Sequence, residues 1–76
     1  MSNKQYRDQN YLIELGQRIE SIRVKSGKSY DDFARSCGLD RRQLRRIEKA
    51  ETNSSISLLK KIADNLTLPL SELLNF

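Results

Sequence analysis

From Tyr11 onward, apolar residues return at helical intervals: Leu12, Leu15, Ile19 and Ile22 follow one another at steps of three, four and three. Arg18 and Glu20 lie between them and Arg23 follows directly, which is the alternation an amphipathic helix requires. The spacing predicts a first helix from Tyr11 to near Gly27, where a glycine takes the left-handed conformation that ends a helix. Ser29 then caps a second helix, roughly Tyr30 to Cys37, with Asp32 near its positive end and Phe33, Ala34 and Cys37 on its inner stripe. Gly38 stops that helix, Leu39 turns inward, and Asp40 is a good N-cap with Gln43 three residues on, close to a capping box. A third helix therefore begins near Arg41. The link of about three residues around Gly38 predicts a steep helix-turn-helix crossing rather than a flat antiparallel hairpin.

Leu44 and Ile47 are the only strongly apolar residues of the third helix, so its remaining face points outward. The stretch Ala50-Glu51-Thr52-Asn53-Ser54-Ser55 is polar and turn-forming, after which Ile56, Leu59, Ile62, Ala63 and Leu66 return at helical spacing as a fourth helix. Pro69, in the first turn of a short fifth helix, precedes Leu70, Leu73 and Leu74. Residues 1–10 are polar and read either as an extension of the first helix or as an arm, leaving 11–76 as the domain.

Seventy-six residues support one domain with a thin core, most easily buried by short helices. The chain has one cysteine and no histidine, so Cys37 has no partner for a disulfide, a zinc site or a thiol–imidazole pair; it reads as a small core residue in a reducing cytoplasm. Asp31 and Asp32 are neighbours on a helix, so their carboxylates diverge by about 100°, and no histidine or lysine constellation completes a site. Both complement the helix dipole. With no phosphate-cradling glycine loop, metal spacing or nucleophile–base pair, the expectation is a protein that is not an enzyme and has no cofactor, metal or small-molecule ligand. No apolar run is long enough to cross a bilayer, and the first ten residues lack the order of a signal peptide; a cytoplasmic location is expected.

The net charge of +4 and a pI near 9.5 point to a polyanionic partner, and the distribution sharpens this. Arg41, Arg42, Arg45, Arg46 and Lys49 supply five of the fourteen basic residues within nine positions. If Leu44 and Ile47 face the core, the four arginines spread over the outer face. A self-neutralising lattice of i,i+4 pairs is unavailable to them, so phosphates are the natural relief of their mutual repulsion.

In this five-helix setting, Leu15-Gly16-Gln17-Arg18-Ile19, Phe33-Ala34, Gly38-Leu39-Asp40, Leu44, Ile47-Glu48, Ile56 and Lys61-Ile62-Ala63 resemble the phage-repressor and Cro-like (XRE) family of helix-turn-helix regulators. The resemblance runs from about Leu12 to Leu74. It implies an all-α, five-helix, lambda-repressor-like domain that binds double-stranded DNA, with the third helix in the major groove, the second against the phosphates, and usually a symmetric dimer on two half-sites. Carried over residue by residue, it puts Arg41, Arg42 and Arg46 at base-contacting positions, flanked by Gln43 and Arg45. Phosphate contacts are expected from Ser29, Tyr30, Lys49, Thr52, Asn53 and Ser55. Ser29 and Ser55 serve equally as plain helix caps, a compatible role, and Tyr30 reads equally as half-buried packing. The family's counterpart of Glu48 pairs with an arginine matching Arg23, a structural ion pair.

This chain departs from the family pattern at four positions. Tyr30 replaces a frequent phosphate-binding glutamine, and Arg45 a frequent serine. Ala50 replaces a frequent glycine after the third helix, which requires either a left-handed alanine, costing about 1 kcal/mol, or a longer helix. Glu51 replaces a common basic residue. The function expected is sequence-specific DNA binding by a transcriptional regulator, a phage-type repressor or a controller of a small operon, acting as a homodimer through Leu68, Leu70, Leu73, Leu74 and Phe76. Arginine's planar fork fits guanine O6 and N7, so guanine-containing half-sites are expected. The alternative is a protein-interaction module or antitoxin-like partner that keeps the fold with weak or no operator binding.

Overall fold

In a computed structural model, which describes residues 6–76, the chain forms five helices in the order α1 (Gln9–Lys25), α2 (Tyr30–Ser36), α3 (Arg41–Glu48), α4 (Ile56–Asn65) and α5 (Leu70–Leu73). None of these helices is long and apolar enough to cross a membrane. α1 starts two residues before Tyr11, because the Asp8 side chain accepts the Tyr11 amide at 3.1 Å and caps the helix there. Residues 1–5 of the polar N-terminal segment lie outside the described residues.

The turns follow the left-handed residues. Gly27 and Gly38 have φ of +74° and +72°, and after Gly38 the Leu39 amide reaches back to the Ala34 carbonyl at 2.8 Å while the Gly38 amide bonds the Arg35 carbonyl at 3.0 Å. This pairing satisfies the last carbonyls of α2 and turns the chain sharply into α3. The same pattern ends α3, with Ala50 at φ +60° and the Glu51 amide bonded to the Arg46 carbonyl at 2.8 Å. The left-handed alanine is thus the solution adopted. Its methyl is buried, and its carbonyl accepts from both the Arg7 guanidinium and the Gln9 amide, each at 2.9 Å. Thr67 ends α4 in the same way at φ +63°.

The core joins all five helices: Ile19, Phe33, Leu44, Ile62 and Leu73 are completely buried, with Leu15, Ala34, Cys37, Ile47, Leu59, Ala63 and Leu66 around them. Each fully buried large aliphatic or aromatic side chain contributes about 1.5–3 kcal/mol. Burial also raises the Cys37 thiol above its ordinary pKa, opposed by the positive charges of Lys61 and Lys28. Two positions depart from the apolar pattern. Ile56 opens α4 but remains 65% exposed, since the first residue of the helix faces the loop rather than the core. Pro69 precedes α5 as its extended N-cap.

The C-terminal segment requires a correction. Leu73, expected at a dimer interface, has no exposed surface, because the Arg18 guanidinium of α1 draws α5 onto the domain by donating to the Leu73 and Glu72 carbonyls at 3.2 and 2.7 Å. Leu68, Leu70 and Leu74 are half-buried against the same core. Phe76 stacks on Tyr11 with ring centroids 4.9 Å apart.

α3 crosses α1 at Gly16, where a β-carbon would sit on the Glu48 carbonyl oxygen, 2.8 Å from its carbon and 2.9 Å from the Ile47 oxygen. These are backbone atoms that cannot swing aside. Gly16→Ala should therefore destabilise the domain by about 1–3 kcal/mol, the cost of overpacking, despite alanine's better helix propensity. A denaturation midpoint equal to or above wild type would show that α1 and α3 do not approach this closely.

Candidate nucleic-acid interface

Residue chemistry fixes α3 at both ends. Asp40 Oδ1 accepts the Gln43 amide at 2.8 Å while Gln43 Oε1 accepts the Asp40 amide at 2.9 Å, a complete capping box. Behind the helix, Arg23 Nε donates to Glu48 Oε2 at 2.8 Å and Arg23 Nη2 to Oε1 at 3.1 Å. Both side chains are nearly closed off, at 10% and 3% exposure. The hydrogen bond to Glu48 is the main reason the Arg23 pKa lies above its ordinary value, with burial opposing it.

With Leu44, Ile47 and Glu48 buried, the remaining α3 side chains face outward. Counting about 100° per residue from Leu44, Arg42 and Arg46 lie at about 160° and 200°, most directly away from the core, with Arg45 to one side and Gln43 to the other. Arg42, Arg45 and Arg46 are exposed, and among the described residues no carboxylate lies within 4 Å of them. Arg41 differs: its Nε meets Asp31 Oδ1 at 3.0 Å, and its guanidinium carbon lies 5.8 Å from the centre of the Tyr30 ring. Gln43 has one of its amide atoms already in use: its Oε1 accepts the Asp40 amide, leaving the second lone pair of that oxygen and the Nε2 group for a base.

The candidate phosphate ligands occupy four settings, with Ser55 in two of them. Ser29 and Ser55 are N-caps, each accepting an amide at 3.1 Å, from Asp32 and from Leu58. Thr52, Asn53 and Ser55 line a groove with Gln43 and Arg46, so the loop and the outer edge of α3 form one surface. Tyr30, Arg41, Arg42 and Arg45 line a cleft on the other side of α3. Lys49 stands apart, lining a groove with Ile13, Gln17 and Glu20 of α1. Tyr30 is half-buried, with the Arg23 guanidinium carbon 4.7 Å from its ring centre. Burial raises its pKa, as does the Glu48 charge, against the lowering effect of Arg23, Arg41 and Arg45.

The sequence pattern gave no sign of Arg7 and Gln9, which meet at the Ala50 carbonyl, nor of the contact by which the Asn53 amide donates to the Tyr6 carbonyl at 3.4 Å. Residues 6–9 thus lie against the loop that follows α3. No local pattern marks these contacts, because they join positions more than forty residues apart.

A family model described as helix-turn-helix matches residues 19–73, most of the chain, including α2 to α5. The chain belongs to this helix-turn-helix family, of the XRE type. It is similar to the restriction-modification controller protein C.AhdI from Aeromonas hydrophila, with a TM-score of 0.77 and 32% identity over 82% of this chain and 94% of that one. It is also 31% identical over 67 residues to a hypothetical transcription factor of Neisseria meningitidis serogroup B, a match covering 88% of this chain but 63% of the relative's length. The clp gene regulator ClgR from C. glutamicum superposes with a TM-score of 0.79 at 20% identity, over 84% of this chain and 83% of that one; this likeness is one of fold alone. These relatives share the helix-turn-helix architecture that exposes α3.

Truncating one partner of the buried pair leaves the other desolvated and unpaired. Glu48→Ala should cost about 3–5 kcal/mol, against less than about 0.5 kcal/mol for the exposed Glu51→Ala. Urea unfolding of the two variants compares them directly, and equal losses would refute a structural role for the pair.

Proposed function

We propose that this helix-turn-helix chain is a DNA-binding transcriptional regulator that inserts α3 into the major groove of double-stranded DNA. The observation that carries this reading is the outer face of α3, where Arg42, Arg45 and Arg46 are exposed with no carboxylate within 4 Å among the described residues, on a helix fixed by a capping box and a buried ion pair. A guanidinium offers two parallel donors that match guanine O6 and N7, while phosphates neutralise the charge. Arg42 and Arg46 read bases, with Arg45 and Arg41 on the α2 side and the Gln43 amide on the loop side. Ser29, Tyr30, Thr52, Asn53, Ser55 and Lys49 engage the backbone. The caps are compatible with this role, since each hydroxyl takes one first-turn amide and leaves others at the helix start for a phosphate.

The chain acts as a homodimer. Leu68, Leu70, Leu74 and Phe76 keep part of their apolar surface outside the core, and symmetric pairing through this end would place two copies of α3 about 34 Å apart, one turn of duplex. The likeness to a restriction-modification controller supports control of a small operon, in the cytoplasm, by occupancy of an operator.

Selection from random duplexes, followed by titration against salt, tests the reading. The expected product is a guanine-containing sequence with two half-sites. Because log K falls by about 0.9 for every phosphate neutralised, a slope steeper than about −2 per protomer is expected. Arg46→Ala should cost about 1–3 kcal/mol on the selected duplex and relax the preference at one base pair. Failure to enrich any duplex, with no association at low salt, would overturn the reading in favour of a protein-interaction module.

A further inference from the structure

The contacts around Tyr30 form an unbroken chain from the core to the interface. Glu48 holds Arg23 in two hydrogen bonds, the Arg23 guanidinium lies 4.7 Å from the centre of the Tyr30 ring, the Arg41 guanidinium approaches the same ring at 5.8 Å, and Arg41 Nε is bound by Asp31 at 3.0 Å. Of the four arginines on α3, Arg41 alone has a carboxylate within 4 Å among the described residues. The neighbouring acid Asp32 is engaged elsewhere, with Arg35 of its own helix at 2.8 Å. The two acids of the first turn of α2 therefore differ in role, although they are equivalent toward the helix dipole.

We infer that Asp31 is a specificity-determining positioning residue: paired with Arg41 by an Nε–Oδ1 approach of 3.0 Å, it holds the Arg41 guanidinium beside Tyr30 and favours presentation of its terminal Nη groups to DNA. The inference rests on the DNA-binding reading above and deepens it. A free arginine on a helix end swings among many rotamers and satisfies phosphates of any sequence. One whose Nε side lies against a carboxylate and whose guanidinium lies near an aromatic ring has fewer orientations open to it, and its two Nη donors stay available to match guanine O6 and N7 end-on. Holding the side chain before binding removes part of the ordering cost from the specific complex. The Asp31 charge also offsets the attraction of Arg41 for phosphates, which weakens non-specific association. Both effects widen the gap between a correct site and mixed DNA.

Asp31→Asn tests the assignment, with Asp32→Asn as a charge-matched control on the same turn. Dissociation constants are measured at one salt concentration for the selected duplex and for a mixed-sequence duplex. Asp32→Asn should tighten both by a similar factor, keeping their ratio within about twofold of wild type. Asp31→Asn should tighten the mixed duplex alone, lowering the ratio about three- to tenfold, the order expected for releasing one rotamer-rich side chain. A ratio unchanged in Asp31→Asn, or lowered equally in both variants, overturns the inference. A second readout needs no DNA: the Arg41 Nε–H signal of the free protein in nitrogen-15 NMR should be dispersed in wild type and Asp32→Asn and averaged in Asp31→Asn. The same signal in all three overturns the inference by itself, whereas a dispersed signal lost only in Asp31→Asn, alongside a chain that binds no duplex, supports the positioning and sinks the DNA reading instead.

Discussion

The two hydrogen bonds between Arg23 and Glu48 cross from the first helix to the third at the place where the helices come closest, and the interface depends on the angle they set. Burying a lone carboxylate or guanidinium costs several kcal/mol, so neither partner tolerates a displacement of α3 that would open the pair. Gly16 removes the side chain that would hold the helices apart, and the pair then locks the approach. A hydrophobic contact alone would be more permissive, since leucines and isoleucines tolerate sliding as long as they stay dry. The directional pair converts general burial of Leu44 and Ile47 into a particular presentation of the residues on the opposite side.

The ends of α3 are controlled just as closely. At its start the capping box satisfies two of the orphan amides, those of Asp40 and Gln43, without a ligand. At its end the left-handed Ala50 turns the chain into the loop 51–55, and Arg7 and Gln9 bond the Ala50 carbonyl from outside the helix. A backbone conformation unfavourable to alanine thus persists because the methyl is buried and the carbonyl is doubly bonded. The groove shared by Gln43, Arg46 and the loop exists only while both ends hold.

Much of this was legible in the sequence, for reasons that differ by element. Helix order and the boundaries around Ser29, Gly38, Asp40 and Ser55 follow from capping chemistry, which acts over three or four residues and so leaves a local trace. The exposed arginine face follows from the two apolar positions of α3. The burial of Leu73 did not follow, because an apolar residue near a terminus suits an interface and a core equally; the decision rests with Arg18, whose bonds to the α5 carbonyls span more than fifty residues. The use of Gln43 Oε1 in the cap is implicit in the capping-box spacing, and it constrains how that amide can meet a base without removing it from the outer face. The Arg41–Asp31 contact depends on how steeply α2 meets α3, which no periodicity within either helix encodes.

The placement of charge along α3 bears on why such a face is maintained. Two arginines occupy its first turn and no acid does, although cations at a helix N-terminus are opposed by the dipole at about 0.3–1 kcal/mol each. A surface shaped for stability would exchange them for acids, as α2 does with Asp31 and Asp32 at the same position. The nearest relief for Arg41 comes from across the turn, from Asp31 of α2, while Arg42 has no carboxylate within 4 Å among the described residues. An arrangement that keeps the Arg42 guanidinium uncompensated at the amino end of a capped, rigidly held helix loses stability on its own and regains it when an external anion supplies the missing compensation.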